Sequence, residues 1–85
     1  MENNNLSLPD YGSESSLKKF LNIIQPIAGK DEVLKVEYIK GVYFAFGSEL
    51  ACLRLHYKYN LGKHNPKAEA MYSIPKSSWF FCLEV

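Results

Sequence analysis

Apolar and polar positions change period several times along this chain, and each change marks an element. Leu17, Phe20, Leu21 and Ile24 recur at i, i+3, i+4 and i+7, with Lys18, Lys19 and Asn22 outside that stripe. The spacing predicts an amphipathic helix of about three turns. Ser13 offers an N-cap hydroxyl to a free backbone N–H of the first turn, and Glu14 suits the positive end of the helix dipole. Pro26 lacks a donor and restricts Gln25, so the helix is expected to stop near there. Residues 1–12 read as a loose arm in which Leu6, Leu8 and Tyr11 could pin the chain to its body.

Past the connection at 27–31 the period falls to two. In residues 32–39, Leu34, Val36 and Tyr38 share one face while Lys35 and Glu37 share the other. Lys40-Gly41 suits a two-residue hairpin turn, with Gly supplying the positive φ. Residues 42–46 return, apolar on both faces, which predicts a covered central strand or a bulge. Gly47-Ser48-Glu49 reads as a second turn. The longest unbroken alternation is Leu53-Arg54-Leu55-His56-Tyr57-Lys58-Tyr59-Asn60, which predicts a half-buried strand at the middle of the sheet. The helical alternative sets Arg54 and Lys58 beside Leu50, Leu53, Tyr57 and Leu61, with no clean stripe. Residues 60–67, with Gly62, Asn65 and Pro66, form a polar loop. Residues 70–74 and 79–85 make a last hairpin around Pro75-Lys76-Ser77-Ser78. The expected fold is α+β: one N-terminal helix packed on a four- to five-stranded, mostly antiparallel meander sheet, in a single domain over 1–85.

Composition narrows the function classes. A hydrophobic fraction of 47% and an aromatic fraction of 14% exclude a disordered chain. The formal charge of +1 is too small for a DNA mimic or for nucleic-acid binding by bulk charge. It is unevenly spread: residues 1–49 hold five Lys against seven Asp/Glu, net −2, and residues 50–85 hold five Lys/Arg against two Glu, net +3. The polar start Met1-Glu2-Asn3-Asn4-Asn5 has no apolar export core, and no apolar run approaches membrane length. Cys52 and Cys82 are therefore expected as free thiols in the cytoplasm. No close Cys pair supports a zinc site, no third group orients a Cys–His nucleophile, and Gly41, Gly47 and Gly62 stand alone as turn residues. No catalytic residue, metal or cofactor is expected.

Two segments carry interaction signals. On the strand reading, Arg54, His56 and Lys58 lie in a row about 7 Å apart, followed by Lys63, His64 and Lys67 in the loop. Tyr57 and Tyr59 then face the other way, away from any strand bound along that row. At the other end, Trp79, Phe81, Leu83 and Val85 alternate with Phe80, Cys82 and Glu84. The second face needs a covering element or a partner, and such aromatic surface signals protein interaction. Ser77, Ser78, Trp79 and Phe80 are the candidate partner-binding residues.

Asp31-Glu32-Val33-Leu34-Lys35-Val36-Glu37-Tyr38-Ile39-Lys40 and Ser77-Ser78-Trp79-Phe80-Phe81-Cys82-Leu83-Glu84-Val85 resemble segments of small phage-encoded anti-CRISPR proteins. The similar family blocks the nuclease domain of type II-C RNA-guided effectors. The resemblance implies that Ser77 or Ser78 sits against a nuclease active site. The middle of the chain departs from that family, which is acidic there and partly helical. The expected function is a non-catalytic inhibitor or accessory protein that occludes a functional surface of a larger protein, such as a host defence nuclease. One alternative is a nucleic-acid-binding module using Arg54, His56, Lys58, Lys63 and Lys67. The other is a dimerising structural subunit using the C-terminal strand.

Overall fold

In the computed structural model, which describes residues 12–85, two helices lie on one face of a four-stranded antiparallel sheet. Leu6, Leu8 and Tyr11 of the arm lie outside the described residues. Helix α1 spans Glu14–Ala28, capped by Ser13, whose hydroxyl accepts from the Ser16 N–H at 3.1 Å. Phe20, Ile24 and Ala28 form its buried face. The helix runs two residues past Pro26 and ends at Gly29 with φ 128°. Pro26 sits in the last turn, where its missing N–H removes one bond to the exposed Asn22, and the Gly29 N–H still reaches the Gln25 carbonyl at 2.9 Å.

Strands β1 (Lys35–Ile39) and β2 (Val42–Gly47) form the expected hairpin, with Lys40 at φ 47° and Gly41 at φ 86°. Positive φ at both turn residues is the type I′ geometry that matches strand twist. Strands β3 (Ala68–Ser73) and β4 (Ser78–Glu84) form the last hairpin. The sheet order is β1-β2-β4-β3, so β4 is central and runs antiparallel to both neighbours. The C-terminal strand is therefore not free to dimerise by its edge.

The main correction falls at residues 53–60: 53–59 belong to helix α2, Glu49–Tyr59, with Asn60 as its C-cap, and not to a strand. Because β2 and β3 each run antiparallel to the β4 between them, they are parallel to one another. Parallel strands need a crossover rather than a tight turn, and α2 is that crossover. The sheet is thus two hairpins joined through a helix, not a meander. Ser48 caps α2, accepting from the Ala51 N–H at 3.0 Å.

The core lies between sheet and helices. Tyr43 stacks on Phe20 at 4.9 Å and donates to the buried Ser16 hydroxyl at 3.0 Å. Leu55 and Cys52 of α2 meet the face that carries Ala45, Phe81 and Leu83. Burying side chains of this size contributes about 1.5–3 kcal/mol each.

Candidate functional site

Alternation along each strand decides what reaches the outer face of the sheet, opposite the helices. Tyr43, Ala45, Phe81 and Leu83 point into the core, so Val42, Phe44, Phe46, Phe80 and Cys82 point out. The register sets Phe46 opposite Phe80 and Phe44 opposite Cys82 on the two central strands. The three phenyl rings form one cluster, with centroids 5.6 Å apart for Phe44–Phe80, 5.9 Å for Phe46–Phe80 and 6.1 Å for Phe44–Phe46. Met71 of β3, opposite Phe80, extends it and is 50% exposed. No helix of the described residues packs on this face.

The edge strands and turns surround that apolar centre with charge: Lys35 and Glu37 on β1, Glu69 on β3, Glu84 at the end of β4, and Lys76 in the last turn. Lys76 Nζ stands 5.0 Å above the Phe46 ring and 3.8 Å from Glu37 Oε2. An open groove of about 500 Å³ runs here, lined by Val33, Lys35, Glu37, Phe46, Lys76 and Ser78. The Ser78 hydroxyl donates to the Trp79 carbonyl at 2.9 Å.

The four candidates of the C-terminal hairpin do not share one surface. Phe80 and Ser78 belong to the outer face. Ser77 is exposed in the turn at φ 51°. Trp79 lies on the helix side, packed against the core and edge-on to Tyr72 at 6.2 Å. Phe44 and Phe46 were missed by the sequence reading, although the apolar character of both faces of residues 42–46 was the signal for them.

The basic row does not exist as a row, because residues two apart on a helix are turned by about 200° from one another. Arg54 and Lys58 share the flank of α2 toward α1, where Arg54 Nη1 donates to the Ala28 carbonyl at 2.9 Å and so closes the end of α1. His56 lies on the other flank, 3.9 Å from Glu69, which His64 approaches at 3.8 Å from the loop. Lys63 and Lys67 are exposed loop residues. Among the described residues, no group of three or more His, Cys, Asp or Glu could hold a metal ion.

A second apolar surface lies on the solvent side of α2. Leu50, Leu53, Tyr57 and Leu61 are 53%, 41%, 72% and 68% exposed, and with Ile27 of α1 they line a shallow groove bordered by Arg54 and Lys58. No helix of the described residues is long and apolar enough to cross a membrane. No protein-family model, curated protein or solved structure matches this chain.

Proposed function

We propose that this chain is a non-catalytic protein-binding module that docks through the outer face of its sheet and occludes a functional surface of a larger protein. The observation that carries this reading is the arrangement of that face. A cluster of Phe44, Phe46, Phe80 and Met71 is ringed by Lys35, Glu37, Lys76, Glu69 and Glu84. A desolvated aromatic centre with a charged rim is the anatomy of a specific protein interface. The same face suits nucleic acid poorly. Its rings could stack on bases, but three carboxylates outnumber two ammonium groups around them, and Lys76 is paired with Glu37. The resemblance to anti-CRISPR inhibitors makes the nuclease domain of a type II-C RNA-guided effector the first partner to try. Inside a cell Cys52 and Cys82 would stay reduced, in keeping with that role.

The exposed leucines of α2 support a second docking surface, for an apolar partner segment whose acidic residues meet Arg54 and Lys58. One experiment separates the two. Binding to the purified nuclease domain, and to any protein that copurifies with the chain, is measured for Phe80→Ala, Phe46→Ala and Leu53→Glu. The outer-face reading requires each Phe variant to lose at least ~2 kcal/mol of affinity, about 30-fold, while folding by circular dichroism. Leu53→Glu should bind as the parent does. The reverse pattern moves the interface to α2, and unchanged binding in all three variants rejects both surfaces.

A further inference from the structure

Strand β3 forms one edge of the sheet, and an edge offers unpaired N–H and C=O groups to any strand that fits. The ladder fixes which groups those are. The Glu84 N–H donates to the Lys67 carbonyl at 2.8 Å, which sets the phase of the ladder at Lys67, although the Lys67 N–H itself goes to Asn65 Oδ1 at 3.0 Å. Alternation then turns the backbone of Glu69, Met71 and Ser73 toward β4 and that of Ala68, Ala70 and Tyr72 outward. Ala68 is already served: its N–H reaches the Asn65 carbonyl at 3.1 Å, and its carbonyl accepts from Asn60 Nδ2 at 3.1 Å. Among the described residues, nothing pairs with the outward groups of Ala70 and Tyr72. The opposite edge, β1, carries Lys35 and Glu37, whereas β3 has Glu69 as its single charge and neither Lys nor Pro.

We propose that β3 pairs antiparallel with β3 of a second copy of this chain, about a two-fold axis beside Met71. In that register Ala70 of each copy faces Tyr72 of the other. The four free groups of one copy meet the four of the other, and the sealed Ala68 is not called upon. Sliding by one pair toward Ala70 would demand hydrogen bonds from Ala68. Sliding the other way would demand them from Ile74, whose carbonyl is held by the Ser77 N–H at 3.1 Å. Side chains agree with the same register. Small Ala70 lies opposite large Tyr72 on the helix side, Met71 meets its own copy on the outer face, and Glu69 faces Ser73 rather than another carboxylate. Met71 and Tyr72, 50% and 51% exposed in the single chain, gain cover. This self-complementarity selects a second copy over a foreign strand, and it would join two outer faces into one continuous sheet.

The test uses the full chain. At a non-hydrogen-bonded antiparallel pair the Cα atoms are about 4.5 Å apart, within disulfide range. With Cys82→Ser in the background, Met71→Cys should oxidise to a linked dimer at least ~10-fold faster than Ala70→Cys or Tyr72→Cys, which face unlike residues. Light scattering on the parent chain should show a concentration-dependent dimer. Ala70→Pro removes only an outward N–H and spares the β4 ladder, so it should give a folded monomer. A parent chain that stays monomeric at every concentration overturns the proposal. So does Met71→Cys cross-linking no faster than its neighbours, a result that stands even should Ala70→Pro fail to fold. A folded Ala70→Pro chain that remains dimeric overturns it equally.

Discussion

Cys52 shows how much the position of one side chain decides. It has no exposed surface, and its Sγ lies 3.9 Å from the Ala45 carbonyl beneath the sheet. Burial disfavours the thiolate and pushes the thiol from its ordinary value of 9.0 up to about 11, with Glu32 adding a smaller push in the same direction. Cys82 is also raised by burial, yet it lies on the outer face and is only half-buried. In the native protein at pH 8, a thiol reagent should therefore modify Cys82 first and Cys52 only on unfolding. Both should react at once in denaturant without reductant. The sign for stability follows from the same shift. The folded state holds the neutral thiol, so this contribution is complete below pH 9 and is lost as pH rises from 9 toward about 11. The melting temperature should fall across that window, and Cys52→Ala should flatten the fall. Equal native reactivity of the two thiols would mean that α2 is not seated on the sheet.

At the scale of elements, α2 explains why an alternating sequence can be helical. Leu53 and Tyr57 form one i, i+4 pair on the solvent side, and Leu55 and Tyr59 form another against the sheet. Two such pairs offset by two residues read as strict alternation, although they lie on opposite sides of a helix. Amphipathic helices normally show one apolar stripe, and α2 shows two, so period alone could not reveal it. The cue that remained was Ser48-Glu49, a cap and an acidic first turn. The other elements were legible because each was locally determined: α1 by its single stripe, β1–β2 by Gly41, and β3–β4 by the Pro75-Lys76-Ser77-Ser78 turn. Trp79 was legible too, in phase with Phe81 and Leu83. The outer aromatic cluster was legible only in part, since Phe80 comes from β4 while Phe44 and Phe46 come from β2. Which of them meet depends on a pairing between strands far apart in sequence.

Mutation can check this reading of α2. Leu55→Ala should cost about 2–5 kcal/mol through lost burial and the cavity left behind. Lys58→Ala should change stability by less than about 0.5 kcal/mol. Both results fit a strand as well as a helix, so Leu53 is the discriminating residue. A strand would place Leu53 beside Leu55 in the core, whereas α2 leaves it 41% exposed. Leu53→Ala should therefore cost well under 1 kcal/mol in urea unfolding, by the usual range for exposed positions. A cost equal to that of Leu55→Ala would restore the strand.

Across the whole molecule, the sheet separates two apolar surfaces, the phenyl cluster outside and the leucine groove behind, on a chain of net charge +1. Binding through such a surface would rest on desolvation more than on attraction between charges. Its rim charges are of both signs, so long-range steering largely cancels. This gives a prediction that needs no mutation. The dissociation constant for a protein partner, measured from 50 to 500 mM salt, should change by less than about 3-fold, because buried apolar contacts are little screened. Binding of a single-stranded nucleic acid with four phosphates neutralised would weaken about 600-fold over the same tenfold range, from a slope near −0.7 per phosphate. The titration should be run on the partner complex and on a single-stranded oligonucleotide side by side. Flat binding to protein with negligible binding to the oligonucleotide supports a docking face built on Phe44, Phe46 and Phe80. Steep oligonucleotide binding that Phe80→Ala abolishes would show instead that the rings stack on bases, with Lys35 and Lys76 holding the backbone.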